Sequence, residues 1–281
     1  MSIAYYGGKF MPEEEVRLPL SERCIFFGDG IYDAAIGYDG YIYLEEEHTD
    51  RFFGNAKRLD LPLSMKKDEL SSILHKLIEL SGLDSYFIYF QLTRSAYPRS
   101  HAYPDTQSSS LLITIKQHSL PSPDTELRLI TEKDIRHSLC DVKTLNLLPA
   151  VLASKRAQSL GCDEAVFLRD KSVTECAHSN IFIVKDGILV THPTDEHILP
   201  GVTRKRIIEL SSALGIKTEE RKFSKDELFS ADGVLISSTT KLCLSAKEID
   251  GIAIKCQKSS VGDRIIKAIR EDFWQKKLNN F

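Results

Sequence analysis

What this chain has little of narrows its nature first. No window of its 281 residues holds the roughly 20 consecutive apolar residues that a membrane-crossing helix needs, so no bilayer is expected. Met1 to Phe10 shows no basic segment followed by an apolar stretch, and the cytoplasm is the expected compartment. The six cysteines, Cys24, Cys140, Cys162, Cys176, Cys243 and Cys256, stand at wide and irregular spacings without a C-x-x-C pair, which reads as reduced, mostly buried thiols. The eight histidines form no H-x-x-x-H pair and do not cluster with cysteine, so no metal is expected. Basic runs are missing too: 37 Lys and Arg against 40 Asp and Glu leave a net charge of -3, and nucleic acid is not an expected partner.

What is there is a globular composition. With 42% hydrophobic residues the chain can fill one large core or two moderate ones. Strands are expected at Tyr41–Leu44, Tyr86–Thr93 and Leu111–Gln117, with a helix at Thr49–Leu59 capped by Thr49 and another at Asp68–Leu80 carrying Leu70, Ile73, Leu74, Leu77 and Ile78 on one stripe. A polar stretch with Pro121 and Pro123 reads as a linker. Beyond it come strands at Leu127–Thr131, Glu164–Leu168, Asn180–Val184, Ile188–Thr191 and Val234–Ser237. Helices are expected at Leu148–Ser159, from just after Gly201 to about Leu214, and at Asp263–Lys277. The expected division is a domain at 1–118, a linker at 119–126 and a domain at 127–281.

Three places carry candidate chemistry. At Leu199-Pro200-Gly201-Val202-Thr203-Arg204 a glycine turn leads straight into a helix, so free N–H groups and the Thr203 hydroxyl suit a phosphate. Ser237-Ser238-Thr239-Thr240 puts four hydroxyls at the end of an apolar strand. Asp141-Val142-Lys143-Thr144-Leu145-Asn146 sets a lysine among apolar residues, where burial can make its amine nucleophilic. Each alone also has a plain reading: an N-cap at Thr203, a turn, a solvated lysine. Together they are what a pyridoxal phosphate enzyme requires.

At these residues the sequence resembles the class IV aminotransferases, the fold-type IV pyridoxal phosphate enzymes, from about Tyr5 to the C-terminus. The resemblance rests on Phe27-Gly28-Asp29-Gly30-Ile31-Tyr32, Glu47-His48-Thr49-Asp50-Arg51, the Lys143 segment, Gly161-Cys162-Asp163-Glu164-Ala165, Val173-Thr174-Glu175, Ser179-Asn180-Ile181-Phe182, Ile198 through Arg204, and Ser238-Thr239-Thr240. So many pieces in order exclude chance. The resemblance implies an α+β fold with a smaller N-terminal α/β domain, a larger C-terminal pseudo-barrel domain, and the cofactor in the cleft between. It makes Lys143 the Schiff-base lysine and the carrier of the substrate α-proton. Glu175 would face the pyridine nitrogen and keep it protonated. Arg51, Gly201 with the Val202 and Thr203 amides, and Ser238 with Thr239 would hold the phosphate, with Ser179, Asn180 and Leu199 completing the cofactor site. Arg51 has the alternative of pairing only with Asp50 or Glu47.

The segment Gln91 to His101 looks like the R-x-H loop of the D-amino acid aminotransferases, in which Arg99 and His101, with Tyr32, would bind the substrate α-carboxylate. The hydroxyl stretch after Ile236 lacks the glycine-threonine-alanine turn of the branched-chain enzymes. The resemblance therefore implies ping-pong transfer from a D-amino acid such as D-alanine to 2-oxoglutarate or pyruvate, in a homodimer whose clamp loops reach across. Branched-chain L-aminotransferase and aminodeoxychorismate lyase are the alternatives on the same scaffold. Three departures bear on substrate choice: Cys176-Ala177-His178 stands where glycine and serines are usual, and Ala34 and Pro200 also differ.

Overall fold

The computed structural model describes residues 2–105, 108–254 and 261–275; Cys256 and the last two positions of the expected C-terminal helix, 276 and 277, lie outside them. The chain divides into two units, one of Met1–Ser119 with Val142–Asn146, the other of Leu120–Asp141 with Leu147–Phe281.

In the first unit, strands β1 (Ile3–Tyr6) and β2 (Lys9–Pro12) form a hairpin, followed by a short helix α1 (Arg23–Phe27), β3 (Gly30–Tyr38), β4 (Tyr41–Ile42), helices α2 (Glu45–Arg58) and α3 (Lys67–Ser81), and strands β5 (Ser85–Thr93) and β6 (Ser110–Gln117). The strands make an antiparallel sheet in the order β2-β1-β6-β5-β3-β4. On β5 the residues Tyr86, Ile88, Phe90 and Leu92 alternate inward, the period of a strand with one buried face. Leu70, Leu74, Leu77 and Ile78 of α3 are buried as the helical stripe predicts. Strand β3 was not anticipated, because eight of its nine residues are buried and no alternation shows. Helix α2 opens four residues before the expected Thr49 cap. Its N-cap is Leu44, in the left-handed region at φ 54°, and three glutamates fill the first turn, where they complement the helix dipole. The Thr49 hydroxyl instead donates back to the carbonyls of Glu45 and Glu46.

In the second unit come β7 (Glu126–Lys133), α4 (Leu148–Ser159), β8 (Glu164–Arg169), β9 (Ser172–Cys176), β10 (Asn180–Lys185), β11 (Ile188–Thr191), α5 (Val202–Ala213), β12 (Thr218–Glu220), α6 (Lys225–Phe229), β13 (Gly233–Ser238), β14 (Leu242–Ile249), β15 (Ile252–Ala253) and α7 (Val261–Gln275). The sheet runs β12-β11-β10-β13-β14-β7-β8-β9, with β15 on β14. It is mixed: β7 lies parallel to both β8 and β14, while β13 is antiparallel to both its neighbours. Its interior is built from buried residues such as Leu129, Val166, Ile181, Ile183, Val234, Ile236 and Leu244. With helices and both kinds of strand pairing, the fold is α+β.

Candidate active site

Lys143 belongs to the short stretch of chain that joins the first unit, and it is stitched to β3 on both sides. The Tyr32 N–H donates to the Lys143 carbonyl (3.0 Å), the Leu145 N–H donates to the Gly30 carbonyl (3.1 Å), and Thr144 bridges Ile31. Only glycine fits at position 30, since a Cβ there would lie 2.6 Å from the Leu92 carbonyl oxygen and 2.8 Å from Leu145 Cδ1. The half-buried Lys143 side chain places Nζ 4.2 Å from the centroid of the Tyr32 ring, a cation–π distance. Tyr32 is in turn stacked on Tyr89 at 5.5 Å. Resting on a ring face, the amine is held in place by its surroundings.

The next residue on β3, Asp33, is fully buried. Arg51 of α2 grips it through two parallel hydrogen bonds of 2.8 Å, and His48 Nδ1–H donates to it at 2.8 Å. Burial alone would raise the carboxyl pKa, but the charge of Arg51 and then of His48 outweighs it and the pKa is lowered. His48 moves down chiefly through its own burial; Asp33 opposes this, while Arg51 and Lys143 add to it. Arg51, expected at the cofactor phosphate or on Asp50 or Glu47, is thus oriented by Asp33, a partner the sequence reading missed.

On the exposed loop after β5, Arg99 and His101 gather at one aromatic ring. The Arg99 guanidinium carbon lies 5.3 Å from the Phe27 centroid, and the His101 ring lies 5.3 Å from the same ring. A guanidinium and an imidazole brought to the same ring can chelate a carboxylate.

The second unit builds an anchored carboxylate and an anion cradle. Glu175 on β9 is 5% exposed; it is ion-paired with Arg136 and accepts hydrogen bonds from Asn180 Nδ2 (3.0 Å) and the Leu199 N–H (3.1 Å). Arg136 is itself tied to Asp134, which also pairs with Arg169. Burial would lower the Arg136 pKa, yet Asp134 and Glu175 push it up. Nothing in the local sequence marked Arg136, because its partner lies 39 residues away. Asn180 also donates to the Leu199 carbonyl (2.9 Å), and its Oδ1 occupies the space that any Cβ at Gly201 would need.

Gly201 rather than Thr203 is therefore the N-cap of α5. It offers no side chain, so the N–H groups of Val202 and Thr203, both in buried residues, begin the helix without intrahelical acceptors. Helix α5 packs against β13, whose end carries Ser238, Thr239 and Thr240; the Ser238 and Thr240 hydroxyls lie 3.4 Å apart. The Ser179 hydroxyl donates to Glu164 (3.0 Å), a fully buried carboxylate that also receives Lys241 Nζ (2.9 Å) and the His178 N–H (3.0 Å). Neither Glu164 nor Lys241 was anticipated as a partner of Ser179.

These groups fit pyridoxal phosphate. Buried N–H donors at a helix start, behind a glycine that no larger residue can replace, suit its phosphate, and a buried, anchored carboxylate suits a protonated ring nitrogen. In a two-unit α+β chain, a lysine seated against a strand and a buried carboxylate–arginine pair suit a group-transfer catalyst of the pyridoxal phosphate type. Residues 30–249 match the family described as amino-transferase class IV, and the chain belongs to it. Class IV aminotransferases depend on pyridoxal phosphate, so the chain is an aminotransferase with that cofactor.

The chain is 37% identical over 246 residues to the D-alanine aminotransferase of Listeria monocytogenes serotype 4b (strain F2365), covering 86% of this chain and 85% of the relative. It is 35% identical over 254 residues to the D-alanine aminotransferase of Staphylococcus haemolyticus, covering 89% and 90%. Among solved structures, the branched-chain aminotransferase of the archaeon Thermoproteus uzoniensis with norvaline aligns with a TM-score of 0.90 at 23% identity, covering 99% of this chain and 97% of that one. The branched-chain amino acid aminotransferase of Escherichia coli gives 0.86 at 24% identity, covering 97% and 93%. At such identities the structural likeness establishes the fold alone.

Proposed function

We propose that this aminotransferase moves the amino group of a D-amino acid of the D-alanine type to a 2-oxo acid such as 2-oxoglutarate or pyruvate. The observation that carries the reading is the gathering of Arg99 and His101 about Phe27, a ready clamp for an α-carboxylate. The two D-alanine aminotransferases similar over most of the chain support it. When bound, pyridoxal phosphate supplies an electron sink for the charge left at the substrate α-carbon.

The chain's own residues do the rest. Lys143, resting on Tyr32, holds the cofactor covalently and carries the α-proton away and back. Glu175, fixed by Arg136 and Asn180, keeps a proton at the ring nitrogen. The Val202 and Thr203 amides and the Ser238 and Thr239 hydroxyls hold the phosphate, and Arg51, aimed by Asp33, adds its charge. Tyr32, Arg99 and His101 take the substrate carboxylate, and the position of that clamp decides which enantiomer turns its α-hydrogen to Lys143.

The same reading makes the protein a homodimer. Helix α4 exposes Leu148 (67%), Val151 (57%) and Leu152 (57%), an apolar stripe at i, i+3 and i+4 that a second copy would cover. Among the described residues no helix is long and apolar enough to cross a membrane. We place the chain in the cytoplasm, where the five described free cysteines would stay reduced.

A panel of D- and L-amino acids, each assayed with 2-oxoglutarate and with pyruvate, tests the substrate class. Turnover of D-alanine, none of L-leucine, and complete loss in Lys143→Ala are expected. L-leucine turnover without D-alanine turnover would make the enzyme a branched-chain transaminase, and pyruvate release with no acceptor would make it a lyase.

A further inference from the structure

We infer that Arg23 is the positioning residue of the substrate-carboxylate clamp, an inference that rests on the reading of Arg99 and His101 as that clamp. The loop from Ser95 to Ser109 contains no helix and, apart from an isolated bridge at Ala96, no strand among its described residues. Such a loop has no ladder of its own to fix two side chains against a substrate, so the precision must come from outside it. Arg23 supplies it from behind. Its side chain is only 3% exposed, although it carries a full charge.

Every edge of the guanidinium is assigned. Nε donates to Asp29 Oδ2 (2.7 Å), Nη1 donates to the Ser100 carbonyl (2.7 Å), and Nη2 donates to the His101 carbonyl (3.3 Å). Two successive carbonyls of the loop are therefore held by one rigid fork, directly after Arg99 and at His101 itself. The Arg23 guanidinium carbon also lies 4.7 Å from the centroid of Phe27, the ring about which Arg99 and His101 gather.

Asp29 aims the fork and shares itself with a second arginine. Arg94 donates to it through Nε, sends its other two nitrogens to the Leu59 and Asp60 carbonyls (2.7 and 2.8 Å), and lies 3.7 Å beneath the Tyr103 ring. The loop is thus tied at its start by the Arg23 N–H on the Ser95 carbonyl, in its middle by the Arg23 fork, and beyond it by Arg94 under Tyr103. A lysine at position 23 has one compact ammonium and cannot meet Asp29 and two carbonyls in this planar arrangement.

The test is the half-reaction of the holoenzyme with D-alanine, followed by cofactor absorbance. For Arg23→Lys the half-saturating substrate concentration is expected to rise about tenfold, as for a clamp displaced by a fraction of an ångström. The limiting rate should stay within about threefold of wild type, with the resting cofactor spectrum unchanged. The Arg99→Ala background separates positioning from general structure. If Arg23 acts through the clamp, adding Arg23→Lys to Arg99→Ala raises half-saturation by less than about twofold more. A full tenfold rise in that background, or no rise in the wild-type background, overturns the inference. If Arg99→Ala itself leaves half-saturation unchanged, the clamp reading fails first and takes this inference with it. Should Arg23→Lys not fold, Asp29→Asn applies the same test: it leaves the two carbonyl bonds but removes the charge that aims the fork. A smaller rise in half-saturation, again absorbed by Arg99→Ala, is expected, and no rise refutes the positioning role.

Discussion

Gly201 is replaceable by no other residue, and the reason is close approach rather than backbone angle. Its φ of -64° suits any residue, but a Cβ would collide with Asn180 Oδ1, which shares the amide that holds Glu175 and Leu199. Gly201→Ala is expected to cost about 1–3 kcal/mol, as overpacking does, and to weaken cofactor binding about tenfold or more. Titrating the apoprotein with pyridoxal phosphate and reading its visible absorbance checks this; unchanged affinity would show that the head of α5 is not part of the cradle. Residues such as Lys143, Glu175 and Gly201 could be picked out in the sequence because each lies in a contiguous motif. The partners that aim them could not: Asp33 reaches Arg51 across 18 residues, and Arg136 reaches Glu175 across 39. No local pattern records a salt bridge between distant segments.

At the scale of elements, β3 and α2 share a buried polar joint whose acid sensitivity can be worked out. The pKa of His48 is lowered, so the unfolded chain takes up a proton there as pH falls through about 6.5 while the native imidazole resists it. Asp33 is lowered as well; its stabilising contribution, complete above the unfolded value of about 4, is lost below it. Both shifts favour the unfolded state in acid. Thermal melts from pH 8 to pH 5 should show Tm falling more steeply in the wild type than in His48→Gln; parallel curves would mean that His48 titrates alike in both states. The long periodic helices and strands of this fold were legible because their period is written in their apolar residues. Strand β3 was not, since burial on both faces erases alternation, and helix α6 escaped notice although its capping box is present: Ser224 Oγ accepts from the Glu227 N–H while the Glu227 carboxylate accepts from the Ser224 N–H.

At the scale of the whole molecule, the exposed stripe on α4 predicts association. Leu152→Glu places a charge where a second copy would sit, and is expected to shift the protein from dimer to monomer, read by light scattering on an eluting column peak. A wild type already monomeric at micromolar concentration would refute the dimer. The return of Val142–Asn146 to the first unit has a consequence for how the enzyme comes into being. A ribosome finishes the six-stranded sheet at β6, yet the Lys143 segment that will lie on it is not synthesised until β7 has also emerged. The first unit could not be expressed whole from one uninterrupted stretch of gene, because a cut after β6 would leave Val142–Asn146 on the other piece.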